Sequence, residues 1–309
     1  MPNQSSIAVC SKTFSNTSIL VEELKKCFSN LEFNYEKDLD GDELVAFIGE
    51  AKGAIVALEK IDNYILDRCP NLEVIVKYGV GLDNLDLASC KRHNVRVGWT
   101  GGTNRLSVAE MTIGFMLALS RNLFRSSLEL KWGLWNKNGG LQLSGRTVGI
   151  IGVGNVGKEV IRLLKPFNCR IMVNDIINQD DYYQAQGVKE ASKEQILKEA
   201  EIISLHMPLN SDTKHFINET TLALIRPDAY IINTARGPLV DYSTLKDSLL
   251  NKKVAGFATD VYDEEPPKDK ELLSFDNVIC TPHIGGNSKE AVFAMGMSAI
   301  DHLKQYFIV

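Results

Sequence analysis

Short apolar runs, rich in β-branched residues, alternate with segments of helical periodicity along almost the whole chain. The strand-like runs are SIAVC, LEFNY, GAIVAL, LEVIVKYG, NVRVGW, TVGIIGVG, CRIMVND, AEIISLHMP, DAYIINTAR, VAGFATDV and NVICTP. Segments such as VEELKKCF, VGKEVIRLLKPF and DYSTLKDSLLNKK place apolar residues three or four positions apart, as one face of a helix requires. Alternating strands and helices are typical of parallel sheets covered on both faces, so we predict an α/β fold.

Two glycine-rich stretches interrupt this alternation: GWTGGTN (98–104) and TPHIGGNSKEA (281–291). The first precedes a long helical pattern, which we expect to open at Ser107, since Glu110 follows at the spacing of a capping box. A chain of 309 residues usually forms more than one core. We therefore predict an inserted domain of residues 99–285, and a second domain built from residues 1–98 and 286–309.

Composition narrows the class of protein. The net charge is −5 and no Lys/Arg cluster stands out, which gives no indication of nucleic acid or a membrane surface as a partner. The first residues, MPNQSSIAVC, lack the basic and apolar regions of a signal peptide. The six cysteines are scattered, without a C-x-x-C pair, which favours reduced thiols in a cytoplasmic protein. No spacing of His and carboxylate residues suggests a catalytic metal.

A glycine loop is the clearest motif. TVGIIGVGNVGKEVIRLL carries Gly152, Gly154 and Gly157 as G-x-G-x-x-G between an apolar strand and an amphipathic helix, the context that dinucleotide binding needs. The next strand ends in Asp175, which could accept hydrogen bonds from the adenosine ribose. No Lys or Arg follows in IINQDD to receive a 2′-phosphate, so we predict NAD rather than NADP. The alternative is a glycine-rich turn followed by a surface aspartate.

Several polar residues follow predicted strands, where ligands bind in open α/β sheets. They are His206, Arg236, Asp260 and His283. Taken singly, such residues have ordinary structural explanations. Arg236 could cap a strand, His283 could be a buried histidine with its hydrogen bonds satisfied, and the nearby Glu265 could belong to a solvated acidic turn. Their convergence beside a dinucleotide would instead indicate a catalytic site. Spacing alone does not decide whether His206 or His283 exchanges the proton.

Six segments together resemble one family: GVGLDNLD, GIIGVGNVGKEV, HMPLNSDTKHFIN, NTARGPLVD, ATDVYDEEP and TPHIGG. They are similar, in order and over almost the whole chain, to signatures of the D-isomer-specific 2-hydroxyacid dehydrogenases, with the phosphoglycerate dehydrogenases as the nearest branch. The resemblance implies two doubly wound parallel-sheet lobes, an NAD-binding Rossmann domain (99–285) inserted into a flavodoxin-like substrate domain, with the active site in the cleft between them. It also implies a homodimer through the long helix and the arm SLELKWGLWNKNGG.

The same resemblance assigns residues. Arg236 would bind the substrate carboxylate and carbonyl, His283 would be the acid–base group, and Glu265 would orient it. Backbone N–H groups at Val80 and Gly81 would hold the carboxylate from the other lobe. The residues implied to line the NAD site, beside the glycine loop, are Asn155, Val156, Asp175, His206, Met207, Thr234, Asp260 and Gly285.

Two positions depart from the phosphoglycerate dehydrogenases, which bind the substrate phosphate with basic side chains. Ala57 stands where an arginine is common, and Leu134 stands at a frequently basic position, so only Lys77 keeps a positive charge nearby. We expect an NAD-dependent dehydrogenase of a small 2-hydroxy acid, with 3-phosphoglycerate as one candidate substrate. The alternatives are an NADH-responsive binding protein of the corepressor type and a sister dehydrogenase acting on phosphite.

Overall fold

The computed structural model of the chain describes residues 1–308, which divide into two compact units. The first unit comprises Met1–Asn104 and the segment that begins at Asn287, and the second comprises Arg105–Gly286. Each unit contains one sheet whose paired strands are all parallel, together with helices. The predicted α/β class is confirmed.

Five strands form the sheet of the first unit. They are β1 (Asn3–Val9), β2 (Phe28–Phe33), β3 (Gly53–Val56), β4 (Val74–Lys77) and β5 (Arg96–Gly98). Their order, β2-β1-β3-β4-β5, is that of flavodoxin-like sheets. The helices are α1 (Lys12–Ser15), α2 (Ser18–Cys27), α3 (Gly41–Ile48), α4 (Asn63–Arg68), α5 (Leu87–Arg92) and the C-terminal helix Lys289–Phe307.

Both faces of this sheet are buried. Alternate residues of β1 enter different cores, because successive side chains of a strand point to opposite faces. Ile7 and Val9 belong to a cluster with residues of the C-terminal helix, including Leu303, whereas Ala8 belongs to a cluster that includes Leu44 of α3. The C-terminal helix therefore completes the core of the first unit.

Seven strands form the sheet of the second unit. They are β6 (Thr147–Ile151), β7 (Arg170–Asn174), β8 (Lys189–Glu190), β9 (Ile202–Leu205), β10 (Tyr230–Asn233), β11 (Gly256–Thr259) and β12 (Val278–Cys280). Their order is β12-β11-β10-β9-β6-β7-β8. The helices are α6 (Arg105–Ser120), α7 (Leu123–Lys131), α8 (Asn155–Leu164), α9 (Asp180–Gln186), α10 (Lys193–Glu199), α11 (Glu219–Leu222) and α12 (Tyr242–Leu250).

The register of this sheet aligns the ends of its strands. Ile151 pairs with Asn174 and Leu205, Asn233 pairs with Leu205 and Thr259, and Thr259 pairs with Cys280. The residues that follow these positions therefore leave the sheet along one carboxyl edge. They are Gly152, Asp175, His206, Thr234, Asp260 and Thr281. The strand order reverses at β6: β7 and β8 extend the sheet on one side of it, and β9 to β12 extend it on the other. Open α/β sheets bind ligands at such a switch point.

Two details of the predicted long helix are wrong. The helix begins at Arg105, two residues before Ser107, and the Ser107 hydroxyl donates to the carbonyl of Gly285 at 2.6 Å instead of capping the helix. The predicted helical pattern, NRLSVAEMTIGFMLALSRNLF (104–124), also breaks after Ser120, where Asn122 adopts a left-handed conformation (φ 51°) and α7 begins. Apolar residues continue at helical spacing through this break, so the pattern does not predict it.

Candidate active site and dinucleotide loop

The glycine loop joins β6 to α8. Gly152 has φ 96°, and a Cβ there would lie 2.5 Å from the carbonyl carbon of His206. A Cβ on Gly157 would lie 2.2 Å from the Gly152 carbonyl oxygen, so this glycine lets α8 pack against the turn. At Gly154 nothing lies within 4 Å of the Cβ position. The loop is thus closely packed on one side and open at Gly154, beside the N–H groups that begin α8, which fits a pyrophosphate.

Asp175 lies at the end of β7, facing the same loop. Its carboxylate accepts the backbone N–H of Val153 at 2.5 Å and that of Ile177 at 2.9 Å. The following side chains, Ile176 and Ile177, are 89% and 65% exposed. A carboxylate fixed beside an open glycine loop, with apolar side chains next to it, suits the ribose and adenine of a dinucleotide.

His206 follows β9 and is fixed by hydrogen bonds to residues of β6 and β9. Its N–H donates to Ile151 at 2.8 Å, and its Nε2 lies 2.8 Å from the Ser204 hydroxyl. Desolvation around the imidazole lowers the pKa of His206 to about 4, so this ring is neutral near pH 7. The neighbouring Met207 is buried. The backbone of His206 therefore packs against Gly152, and the charged form of its imidazole is disfavoured.

Arg236 follows β10 in a turn built by Asn233. The fully buried Asn233 side chain donates to the carbonyl of Arg236 at 2.8 Å and accepts the N–H of Ala235 at 3.1 Å. The next residue is Gly237, where a Cβ would lie 2.1 Å from the carbonyl carbon of Tyr262. The arginine turn therefore packs directly on the backbone that follows β11. Thr234, in the same turn, has its hydroxyl 3.0 Å from that of Thr112 in α6.

Glu265 and His283 form a direct pair. The Oε2 atom of Glu265 lies 2.7 Å from Nδ1 of His283, and the two side chains are 39% and 48% exposed. The other carboxylate oxygen of Glu265 accepts the N–H of Tyr262 at 3.2 Å. Because Nδ1 faces Glu265, a proton exchanged with a substrate would pass through Nε2 of His283.

The predicted residues Lys77, Val80 and Gly81 belong to the first unit, at and just beyond the end of β4. Lys77 is 5% exposed, and its ammonium donates to the carbonyl of Ala57 and to the side chain of Asn84. The carbonyl of Val80 accepts from the Trp99 indole at 2.8 Å. Lys77 thus joins the segments that follow β3 and β4.

The sequence analysis missed three residues that contact candidate site residues: Asn233, Tyr262 and Thr281. Asn233 ends the apolar run YIIN, and Thr281 ends the apolar run VICT. A polar residue at the end of a strand run was the sequence signal that could have identified both. No sequence pattern indicated Tyr262, because its contact joins segments that follow different strands: its hydroxyl, after β11, donates to the Thr281 carbonyl, after β12.

The model of the D-isomer specific 2-hydroxyacid dehydrogenase NAD binding domain matches residues 113–285. The chain belongs to this family. This dehydrogenase is therefore an NAD-dependent oxidoreductase, as predicted from the resemblance, and its cofactor is NAD.

Named relatives differ in substrate. The dehydrogenase is 35% identical to a hydroxypyruvate reductase of Thermotoga maritima over 86% of this chain and 88% of that one. It is 35% identical to a D-3-phosphoglycerate dehydrogenase of Methanocaldococcus jannaschii over 87% of this chain, but spans only 50% of that relative. A structure of D-lactate dehydrogenase from Aquifex aeolicus, complexed with NAD and lactic acid, is 27% identical, with a TM-score of 0.85 over 98% of this chain and 95% of that one.

Two kinds of feature are absent from residues 1–308 of the dehydrogenase. Among them, no group of three or more His, Cys, Asp or Glu side chains could hold a metal ion. None of the helices formed by these residues combines the length and the hydropathy that a membrane span requires.

Proposed function

We propose that this dehydrogenase interconverts a small 2-keto acid and the corresponding D-2-hydroxy acid, with Arg236, Glu265 and His283 as the catalytic group. The observation that carries the proposal is the contact between Glu265 and His283 in the unit that also holds the glycine loop and Asp175. A histidine with a fixed carboxylate partner is a suitable acid–base group. His206, with a pKa lowered to about 4, is a poor proton donor at neutral pH.

In the reducing direction, bound NADH supplies the hydride that adds to C2 of the keto acid. Protonated His283 donates from Nε2 to the developing alkoxide, and Glu265 stabilises the imidazolium through Nδ1. Arg236 binds the substrate carboxylate with its planar guanidinium and polarises the carbonyl. In the opposite direction, neutral His283 accepts the hydroxyl proton.

The substrate side chain is proposed to be small and to lack a phosphate. Ala57 and Leu134 supply no cation at the two positions where phosphoglycerate dehydrogenases are expected to carry one, and Lys77 is buried against Ala57 and Asn84. The hydroxypyruvate reductase relative supports the same choice. Val80 and Gly81 as carboxylate ligands stay a prediction, as does a cytoplasmic location.

A panel of 2-keto acids with NADH tests the proposed function. Hydroxypyruvate, glyoxylate, pyruvate and 3-phosphohydroxypyruvate are compared by the decrease in NADH absorbance. We expect turnover with at least one of the first three, at higher kcat/KM than with the phosphorylated acid. NADH binding without turnover of any of them would contradict the proposal and favour a binding protein, and oxidation of phosphite would favour the sister activity.

NADH is expected to be preferred over NADPH by at least about tenfold in kcat/KM, because Asp175 occupies the ribose side of the loop and would repel a 2′-phosphate. The preference should decrease in Asp175→Asn, which removes the negative charge. Equal efficiency of both cofactors with the native chain would show that Asp175 does not face the ribose.

Glu265→Gln is expected to shift the pH dependence of the reaction. The imidazolium loses its anionic partner, so the basic limb of the reduction profile should move to lower pH, and the acid limb of the oxidation profile should also move to lower pH. Profiles of kcat in both directions measure this. Unchanged profiles would place Glu265 in a surface turn without a catalytic role.

Pairing of two chains through α7 and the segment that follows it is also proposed. No residue of α7 is buried, and Trp132 and Trp135 are 70% and 80% exposed, which is unusual for tryptophan. Light scattering on the purified protein tests this, since the mass of a single 34.3 kDa chain would contradict a homodimer.

A further inference from the structure

Gln179 occupies the N-cap position of α9, but its side chain does not cap that helix. Instead, its amide nitrogen donates to the backbone carbonyl of Val153, in the glycine loop, at 3.2 Å. The N–H of Val153 donates to the Asp175 carboxylate at 2.5 Å. The segment that follows β7 therefore binds Val153 through both of its backbone polar groups.

The Val153 carbonyl belongs to the same peptide group as the N–H of Gly154. In a trans peptide the C=O and the N–H point in opposite directions, because the group is planar. A Val153 carbonyl directed at Gln179 therefore turns the Gly154 N–H away from Gln179. A rotation of this peptide by half a turn would exchange the two groups.

Gly154 makes such a rotation sterically easy. Glycine adopts a wide range of φ, so it can follow a rotation of the peptide that precedes it. At the Cβ position of Gly154 nothing lies within 4 Å, so no neighbouring group opposes the movement there. A carbonyl oxygen carries partial negative charge, whereas a phosphate needs N–H groups. The orientation of this one peptide therefore affects how well the loop accepts a pyrophosphate.

The contact of Gln179 is partly sheltered from water by Tyr183, one helical turn further along α9. The N–H of Tyr183 donates to the carbonyl of Gln179 at 2.9 Å, and its side chain is 3% exposed. Burial, followed by the negative charge of Asp175, raises the pKa of the Tyr183 phenol, and the Gln179 side chain lowers it. Both side chains thus lie near one buried hydroxyl, where water competes poorly for the Gln179 amide.

We infer that Gln179 is a positioning residue for the cofactor, which fixes the Val153–Gly154 peptide so that its carbonyl oxygen is directed away from the pyrophosphate of NAD. The inference concerns the cofactor, so it does not depend on the substrate or on His283. A purely structural link between α9 and the loop would instead stabilise the fold without changing ligand affinity selectively.

ADP-ribose is a suitable probe, because it contains the adenosine and the pyrophosphate but no nicotinamide, and calorimetry gives its dissociation constant. Gln179→Leu removes the donor. Gln179→Glu keeps the length of the side chain, but a carboxyl donates to the Val153 carbonyl only when it is protonated. Gln184→Leu and Gln184→Glu are matched controls, since they make the same changes at an exposed glutamine of α9.

Gln179→Leu is expected to weaken ADP-ribose binding by about threefold to tenfold, the scale of one lost hydrogen bond. Gln184→Leu should stay within about twofold of the native affinity, and the melting temperatures of the two variants should agree within about 3 °C. An affinity of Gln179→Leu within about twofold of the native value, or an equal loss in Gln184→Leu, would overturn the inference.

Gln179→Glu supplies a second readout, in which one folded variant is switched by pH. Its new carboxyl would face the Val153 carbonyl and lie near Asp175, and both disfavour the charged form, so its pKa should exceed the usual value of about 4.3. The other charged groups around this position are the carboxylates of Asp180, Asp181 and Glu190 and, over the ring of Tyr182, the ammonium of Lys158.

As the pH falls from about 8 to about 5.5, the protonated form should accumulate and donate to the Val153 carbonyl. The dissociation constant of Gln179→Glu, divided by that of Gln179→Leu, should therefore decrease by at least about threefold. This ratio cancels effects of pH that the two variants share, and the corresponding ratio for the Gln184 variants should stay constant. A Gln179 ratio that does not change with pH would refute the contact with Val153. If the native chain reduces no keto acid, the proposed function fails, whereas this comparison still tests Gln179.

Discussion

Arg236→Lys is expected to lower kcat/KM by roughly tenfold to ten-thousandfold. A guanidinium that binds a carboxylate and a carbonyl together uses its planar fork, which an ammonium cannot reproduce. One or two lost charge-assisted hydrogen bonds cost about 1.5–3 kcal/mol each, and this difference in transition-state binding gives the expected range. Steady-state kinetics with the best keto acid of the panel measures the effect.

Two controls accompany this variant. NADH affinity should change little, because the glycine loop and Asp175 are untouched. The melting temperature should also be retained, since the Arg236 turn is built by hydrogen bonds between the Asn233 side chain and the backbone of Ala235 and Arg236, which the substitution leaves in place. Near-native kcat/KM would show that Arg236 only terminates β10, and loss of the fold would show a structural role.

Gly152→Ala and Gly154→Ala are expected to fail in different ways. An alanine at residue 152 would take φ 96° and place its Cβ within 2.7 Å of three backbone atoms of His206 and Met207. Strain of this kind costs about 1–3 kcal/mol before any clash. The melting temperature should therefore fall by several degrees, on the order of 2–4 °C for each kcal/mol in a unit of this size, and NADH binding should be lost.

Gly154→Ala is the matched comparison, because its Cβ meets nothing within 4 Å and its φ is −78°. The melting temperature should be unchanged, whereas NADH affinity should decrease by at least about tenfold, since the methyl group would occupy the open side of the loop. Calorimetry and fluorescence titration on the two variants give the comparison. Equal NADH affinity in Gly154→Ala and the native chain would contradict a pyrophosphate at this loop.

The fold was predictable because its signals are local. Alternating strand and helix patterns indicated all-parallel sheets, and the predicted strand runs correspond to eleven of the twelve strands of residues 1–308. The exception is β8, a polar pair of residues, Lys189–Glu190, that joins the edge of the second sheet by tertiary pairing with β7 alone. A two-residue strand without apolar positions has no periodicity to detect.

The site was predictable only in part. Glycine spacing indicated the dinucleotide loop, and strand ends indicated which polar residues share one edge of the sheet. The choice between His206 and His283 was not available from spacing, because it depends on desolvation of one ring and on a carboxylate eighteen positions away from the other. The hydrogen bonds of Asp260 with residues 281–285, beside the left-handed His283, also join segments that follow two different strands, and no local pattern encodes them.

The discontinuous first unit has a consequence for synthesis of the protein on the ribosome. Residues 105–286 are translated before the C-terminal helix, which supplies Met295, Ala299, Ile300 and Leu303 to one core of the first unit. Until that helix leaves the exit tunnel, one face of the β1–β5 sheet has only part of its cover, from α1 and α2, although all five strands have already been made. The second unit can therefore complete its core first, whereas the nascent first unit keeps part of an apolar sheet face exposed until translation of the C-terminal helix, and exposed apolar surface favours aggregation.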